Sequence, residues 1–313
     1  SIITCKEIEK ISKKINSNLK ELSSLNNKIW NEKISYLYSK YKNTLKTINK
    51  LIANTDISCS NAKLSIENGY YCPTLEDNDK SFLLAKDIRH PIVEKINEDT
   101  EYITNDISLG KEKDGMLLFG TNACGKSTLM KAAGLNIIMA QAGLYVASKE
   151  FRYKPYTQIF TRILNNDNIF KAQSSFAVEI QELNSILQNA DDSSLILGDE
   201  LCSGTETISA ISIVATGIEY LCNIRSSFIF TSHLHQLTKL ENINKLDNLQ
   251  ISHLKIDIKE NKLIYDRKLI EGSGPSIYGL IVCDAIGLSS DFIAKAKKIQ
   301  LSLENESNTI VNQ

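Results

Sequence analysis

Residues 1–68 contain neither Gly nor Pro. Apolar residues fall at Ile8, Ile11, Ile15, Leu19, Leu22, Leu25 and Ile29, in steps of three and four that mark one helical face. The pattern resumes at Leu37, Tyr41, Leu45, Ile48 and Ile52. At about 1.5 Å per residue, a single helix over this stretch is about 75 Å long, too long to bury itself within one compact domain. Three arrangements satisfy the pattern: a lever packed against something else, a helical hairpin with a polar turn near Asn26–Asn27, or a coiled-coil spacer.

Charge collects in the same segment. Residues 1–50 hold eleven Lys and four Glu, a balance of +7. The whole chain, with 36 Lys plus Arg against 37 Asp plus Glu, carries −1, so the remainder carries −8. The total argues against a uniformly basic nucleic-acid coat, but it averages a basic arm with an acidic body. A lysine-rich helix suits phosphate attraction at its far end. A solvated helix face is the plainer account of the same lysines.

The chain's 313 residues suffice for one large domain or two modest ones. From residue 69 the texture changes, with Gly69, Pro73 and Pro91 punctuating short β-like runs. Met116–Phe119, Leu195–Leu197 and Phe228–Phe230 are continuous apolar segments, as expected for buried parallel strands. Helical patterns lie between them at Ser127–Ala142 and Ser175–Asn189. This alternation predicts a doubly wound α/β domain. The seven Cys are scattered without a C-x-x-C pair, which suits reduced thiols in an intracellular protein. No apolar run nears the roughly 20 residues of a membrane span. The chain begins with Ser and no signal peptide opens it, which suggests a fragment or processed piece.

The run Gly120, Thr121, Asn122, Ala123, Cys124, Gly125, Lys126, Ser127, Thr128 fits the G-x-x-x-x-G-K-[ST] phosphate loop in full. It follows an expected strand and opens an expected helix, the context this motif requires. Glycines let backbone N–H groups curl around phosphate, and the helix N-terminus adds its positive end. Lys126 would span the β- and γ-phosphates of ATP, and Ser127 would hold Mg²⁺ through its hydroxyl. About 70 residues on, Leu195 to Glu200 is an apolar strand ending in two acids. Side chains alternate along a strand, so Asp199 and Glu200 are expected on opposite faces with different work. Asp199 is the expected Mg²⁺ partner, and Glu200 the group that orients and deprotonates water. His233 ends the next apolar strand and reads as a γ-phosphate sensor. His235 could join it in a metal site, but too few further ligands lie nearby.

Here a resemblance becomes specific. The segment Tyr102–Asn105, Asn122 within the loop, and Leu129-Met130-Lys131 resemble the ATPase domain of the DNA mismatch repair MutS family. So do Ile159–Arg162, Ser174–Glu179, Asp199–Thr205 and Thr231–His233, with Tyr71–Thr74 and Arg89–Glu94 upstream. Tyr278-Gly279-Leu280 and Ile286-Gly287-Leu288 look like that family's closing helix-turn-helix. The matches run in order over nearly the whole chain.

The resemblance implies an ABC-type P-loop ATPase domain with a long N-terminal helical lever and a small C-terminal helix-turn-helix. The implied boundaries are 1–64, 65–272 and 273–313. It places Tyr102 against adenine and, by a looser alignment, Arg267 on the opposite adenine face, where a strand surface charge is the alternative. Ser174 matches a serine that reaches across a dimer interface to the partner's γ-phosphate, and it could equally cap the following helix. Arg89 and His90 are expected to be structural. Glu200, His233 and Lys126 would carry catalysis.

Two departures bear on subunit coupling: Ser203 stands where the family commonly has Arg, and Glu206 where it has a small hydroxyl residue. Cys124, beside Lys126 and the helix dipole, is expected to have a lowered pKa and to block ATP binding when alkylated. No Phe-x-Glu occurs, whereas the family's mismatch reader uses that pair, so the chain alone is not expected to recognise mispairs.

The expected function is a dimeric, composite ATPase that uses ATP and Mg²⁺ to drive a DNA clamp in mismatch repair. Its partners would be mismatched or branched DNA, engaged mainly through clamp regions beyond this chain, a second MutS-like subunit and downstream repair proteins. No membrane is implied. The alternatives are a MutS-like ATPase acting in recombination or fused to a nuclease, and a nucleotide-gated DNA scaffold with incidental hydrolysis.

Overall fold

A computed structural model describes residues 5–96, 101–121, 124–163, 175–202, 205–259, 262–275, 280, 283–284 and 286–310. The chain divides into two compact units, Ser1–Lys63 and Leu64–Gln313.

The first unit is helical. Helix α1 runs unbroken over Lys6–Asn68, 63 residues and about 95 Å at about 1.5 Å each. The hairpin alternative is therefore excluded. Asn26 and Asn27 are poor but tolerated helix residues, and each costs only tenths of a kcal/mol where good helix formers flank it. The apolar stripe is exposed, from Ile8 at 55% to Leu22 at 64% and Ile52 at 61%. None of the described residues of this unit is buried. The helix ends within the second unit, where the Tyr70 N–H donates to the Ser65 carbonyl at 3.0 Å and closes the last turn. The Arg89 guanidinium donates to the carbonyls of Asn68 and Gly69 at 3.1 and 3.2 Å, satisfying acceptors a helix end leaves open.

The second unit is built on two sheets. Strands β1 (Thr74–Leu75), β2 (Phe82–Ile88), β3 (Asn105–Leu109), β4 (Gly115–Phe119) and β5 (Glu150–Lys154) are followed by β6 (Gln158–Arg162), β7 (Ser194–Asp199), β8 (Ser227–Ser232), β9 (Leu249–Lys259) and β10 (Lys262–Glu271). Among the described residues, one sheet has the order β1-β5-β2-β3 and the other β10-β9-β4-β8-β7-β6. The larger sheet is parallel from β9 through β6, and β10 closes its edge antiparallel to β9. The described α-helices include α2 (Val93–Ile96), α3 (Lys126–Gln141), α4 (Ser175–Asn189), α5 (Thr207–Asn223), α6 (Glu241–Asn244) and α7 (Ser290–Ile310).

The three apolar runs form central strands, as their composition requires. Their side chains divide by parity between two cores. Met116, Leu118, Leu195, Leu197 and Ile229 face a core shared with Met130, Ala133 and Ile137 of α3. Leu117, Phe119, Ile196, Phe228 and Phe230 face the other, with Val214, Ile218 and Leu221 of α5. Each fully buried Leu, Ile or Phe contributes roughly 1.5–3 kcal/mol. The first core differs from a simple doubly wound arrangement, because α3 shares it with Leu83, Ile107 and Phe151 of the smaller sheet. This packing brings the carboxyl ends of β4, β7 and β8 together beside the start of α3.

Of the expected helix-turn-helix, Tyr278 and Gly279 lie outside the described residues. The turn at Ile286–Gly287 is present, closed by the Leu288 N–H on the Cys283 carbonyl at 3.1 Å, and α7 follows it. No described helix is long and apolar enough to cross a membrane.

Candidate functional site

The loop after β4 is shaped by its glycines. Gly120 has φ 149 and Gly125 has φ 108, values that side-chain-bearing residues rarely adopt. A Cβ on Gly120 would also lie 2.6 Å from the Cys124 sulfur. Gly125 precedes α3 and supplies no side-chain cap, so the first-turn N–H groups of that helix stay available to an anion. Thr121 Oγ1 is buried and has no hydrogen-bond partner among the described residues.

Lys126 opens α3, only 4% exposed. Its ammonium folds back on its own loop, donating to the carbonyls of Gly120 at 2.8 Å and Thr121 at 3.1 Å. Burial pushes its pKa down, opposed by the nearby Glu200 and Asp199. Beside it, Ser127 Oγ donates to Asp199 Oδ1 at 2.9 Å. The same carboxylate oxygen accepts from Thr231 Oγ1 at 2.6 Å.

Glu200 corrects a sequence expectation. A regular strand would aim Asp199 and Glu200 at opposite faces, yet both converge on the start of α3. Glu200 has φ 49 and leaves the strand in a left-handed turn, which cancels the alternation. Its N–H donates to Thr231 Oγ1 at 3.0 Å. Its carboxylate lies 2.6 Å from His233 Nε2 and 3.7 Å from the Lys126 ammonium. His233 Nε2 is also 3.2 Å from Lys126 Nζ. That nitrogen can donate to Glu200 or accept from Lys126, not both, so the ring's tautomer selects the contact. His235 stacks on Phe119 with ring centroids 5.0 Å apart.

A cavity of about 190 Å³ adjoins the loop, lined among others by Tyr102, Asn105, Cys124, Gly125, Thr128 and Arg267. Tyr102 is half-buried and Arg267 exposed, so the structure brings both to the loop although 164 residues separate them. The lowered thiol pKa expected for Cys124 is not found. The residue is fully buried, and burial pushes its thiol pKa up despite the opposing charge of Lys126. Asn122, Ala123, Ser174 and Ser203 lie outside the described residues.

Three residues that the sequence motifs contain but do not explain also shape the site. Thr231 ties Asp199 to the Glu200 backbone. Asn105 fastens β10 through its side-chain amide. Glu179 of α4, 3% exposed, accepts from the Cys202 N–H at 2.6 Å and so holds the turn after Glu200. The sequence signal of that role is an acid set between apolar helix positions, Val178 and Ile180.

The fold and site define an α/β protein in which a glycine-shaped strand–helix turn faces two acids and a histidine from neighbouring parallel strands. The family model for MutS domain V matches residues 116–304, and the chain belongs to the MutS family. A mitochondrial DNA mismatch repair protein mutS homolog of Sarcophyton glaucum is 39% identical over 95% of this chain and 30% of its own length. A putative DNA mismatch repair protein mutS homolog of Acanthamoeba polyphaga mimivirus is 38% identical over 94% and 30%. A DNA mismatch repair protein MutS of Clostridium botulinum is 36% identical over 96% and 32%. The chain thus spans about a third of the length of these relatives.

Proposed function

We propose that this chain binds and hydrolyses ATP, and that it is the engine of a MutS-like mismatch repair protein. The observation that carries this reading is the convergence of Lys126, Ser127, Asp199, Glu200 and His233 around one loop, with hydrogen bonds and ion-pair contacts of 2.6–3.7 Å among them. The base lies in the cavity between Tyr102 and Arg267, and the phosphates lie in the loop of Gly120–Thr128, Asn122 and Ala123 included. Ser127 and Asp199, already hydrogen-bonded to each other, would hold Mg²⁺, which when bound would supply charge neutralisation to the phosphates.

The protein groups then have distinct work. Lys126 exchanges the carbonyls of Gly120 and Thr121 for phosphate oxygens. Glu200 accepts a proton from water as the water oxygen attacks the γ-phosphorus and the bond to ADP breaks. His233, released from Glu200, donates to the γ-phosphate and so distinguishes ATP from ADP. Ser174 acts from a second MutS-like subunit, which makes the site composite.

The segments 1–64, 65–272 and 273–313 serve as lever, ATPase and dimerising helix-turn-helix. A nucleotide can reshape a clamp only through contacts that differ between its states, and the γ-phosphate contacts are those. DNA and downstream repair proteins are engaged mainly through the rest of the molecule. Phosphate release from ATP, measured with Mg²⁺ and with a chelator, tests the reading. Mg²⁺-dependent turnover that rises with DNA supports it. No turnover under any condition would leave a nucleotide-gated scaffold.

A further inference from the structure

One wall of the cavity beside Tyr102 is made by an irregularity. Tyr265 of β10 pairs with Ile256, but Leu269 pairs with Leu254, so residues 266–268 bulge opposite Lys255 alone. Within the bulge Asp266 is drawn to the Lys255 ammonium at 2.9 Å. Arg267 takes φ 57, a left-handed conformation uncommon for a long side chain, and lines the cavity. Such a conformation persists only where its surroundings hold it.

The holder is Asn105, buried at the start of β3 and 162 positions away. Its Nδ2 donates to the Arg267 carbonyl at 3.0 Å, and its Oδ1 accepts from the Leu269 N–H at 2.7 Å. One amide therefore satisfies backbone groups within the bulge and at its end. Lys268 adds a bond from its ammonium to the Thr104 carbonyl at 2.6 Å.

We propose that Asn105 is a positioning residue that aims Arg267 at the base of the bound nucleotide, and so makes binding depend on a stacking base; this rests on the ATP reading. A guanidinium stacks on the π-face of a planar base, and Tyr102 lines the same cavity. Without the Asn105 donor, the Arg267 carbonyl loses its partner and the left-handed turn loses its restraint. The phosphate half of the site is carried by Lys126 and Ser127 on α3, a separate element. Base-dependent and phosphate-dependent affinity should therefore separate. The ligand class selected is a nucleoside triphosphate, preferred over a triphosphate without a base.

Two variants test this in the intact protein. Asn105→Asp keeps the size and the acceptor for Leu269 but replaces the donor with a second oxygen. Arg267→Gly removes the guanidinium and suits the positive φ, so it retains the bulge. Affinities for ATP and for inorganic tripolyphosphate are measured with Mg²⁺. Each variant is expected to weaken ATP by about tenfold, the scale of one stacking interaction, and to leave tripolyphosphate unchanged. The double variant should bind ATP no more weakly than Arg267→Gly alone, because both changes remove one interaction. Parallel loss of both ligands, losses that multiply, or unchanged ATP affinity in Asn105→Asp would overturn the inference. A parent protein that does not bind ATP overturns the ATP reading and the inference with it. ATP binding indifferent to Asn105→Asp overturns the inference alone.

Discussion

Helix α1 and the parallel sheet are both apolar designs, but they use their apolar residues in opposite ways. Leu22 of α1 is 64% exposed, whereas Phe228 of β8 is fully buried. The helix draws its local structure from an unbroken run of residues that tolerate helical geometry, and its stripe packs on nothing within its own unit. The strands need each other: Leu117, Ile196 and Phe228 make one core face only because β4, β8 and β7 lie side by side. Periodicity therefore specifies secondary structure in both regions, and a buried core in one.

The contrast can be broken by stability measurements. Phe228→Ala should cost about 3–5 kcal/mol in denaturant unfolding of the second unit, through lost burial and a cavity. Leu22→Ala should change stability by no more than about 0.5 kcal/mol, as at ordinary surface positions. Equal costs would show that the stripe of α1 is packed in solution.

Thiol chemistry sharpens the same contrast. Cys5 and Cys59 of α1, and Cys72 beyond it, are exposed. Cys124, Cys202 and Cys222 are buried, and burial raises the last two to about 11 and about 12. Near pH 8 Cys202 and Cys222 hold almost no thiolate and Cys124 is shielded by burial, so alkylation followed by mass spectrometry should label Cys5, Cys59 and Cys72 first. Early labelling of Cys124 would contradict the shielding that its burial implies.

The smallest effect concerns charge. Replacing Lys10, Lys13, Lys14 and Lys20 of α1 by Gln should reduce the salt dependence of DNA binding, by about 0.9 in log–log slope for each phosphate that the lysines no longer neutralise. An unchanged slope would assign these lysines to a solvated face.

Much of the site was legible in the sequence because local patterns carry it. The loop motif, the acids ending β7 and the histidine after β8 each follow an apolar strand within a few residues. The smaller sheet was not legible. Its strands are short, and β2 pairs with β5 across 64 to 72 residues, for example Phe82 with Lys154 and Lys86 with Glu150. No local period reports such pairing. The left-handed turn at Glu200 was hidden for a similar reason, since Thr231 and Glu179 hold it from other elements. Asn105 and Arg267 likewise meet only through the bulge in β10. Continuity of α1 through Asn26–Asn27 was undecided because two weak residues permit either a turn or a helix.

The most direct test of the proposed centre is Glu200→Gln, with ATP affinity and turnover measured on the same sample. Glutamine keeps the shape but cannot accept the water proton. If Glu200 is the base, ATP affinity should stay near that of the parent, while turnover falls by roughly 10²–10⁴-fold. Turnover equal to the parent, with ATP bound, would contradict the assignment of hydrolysis to this cluster.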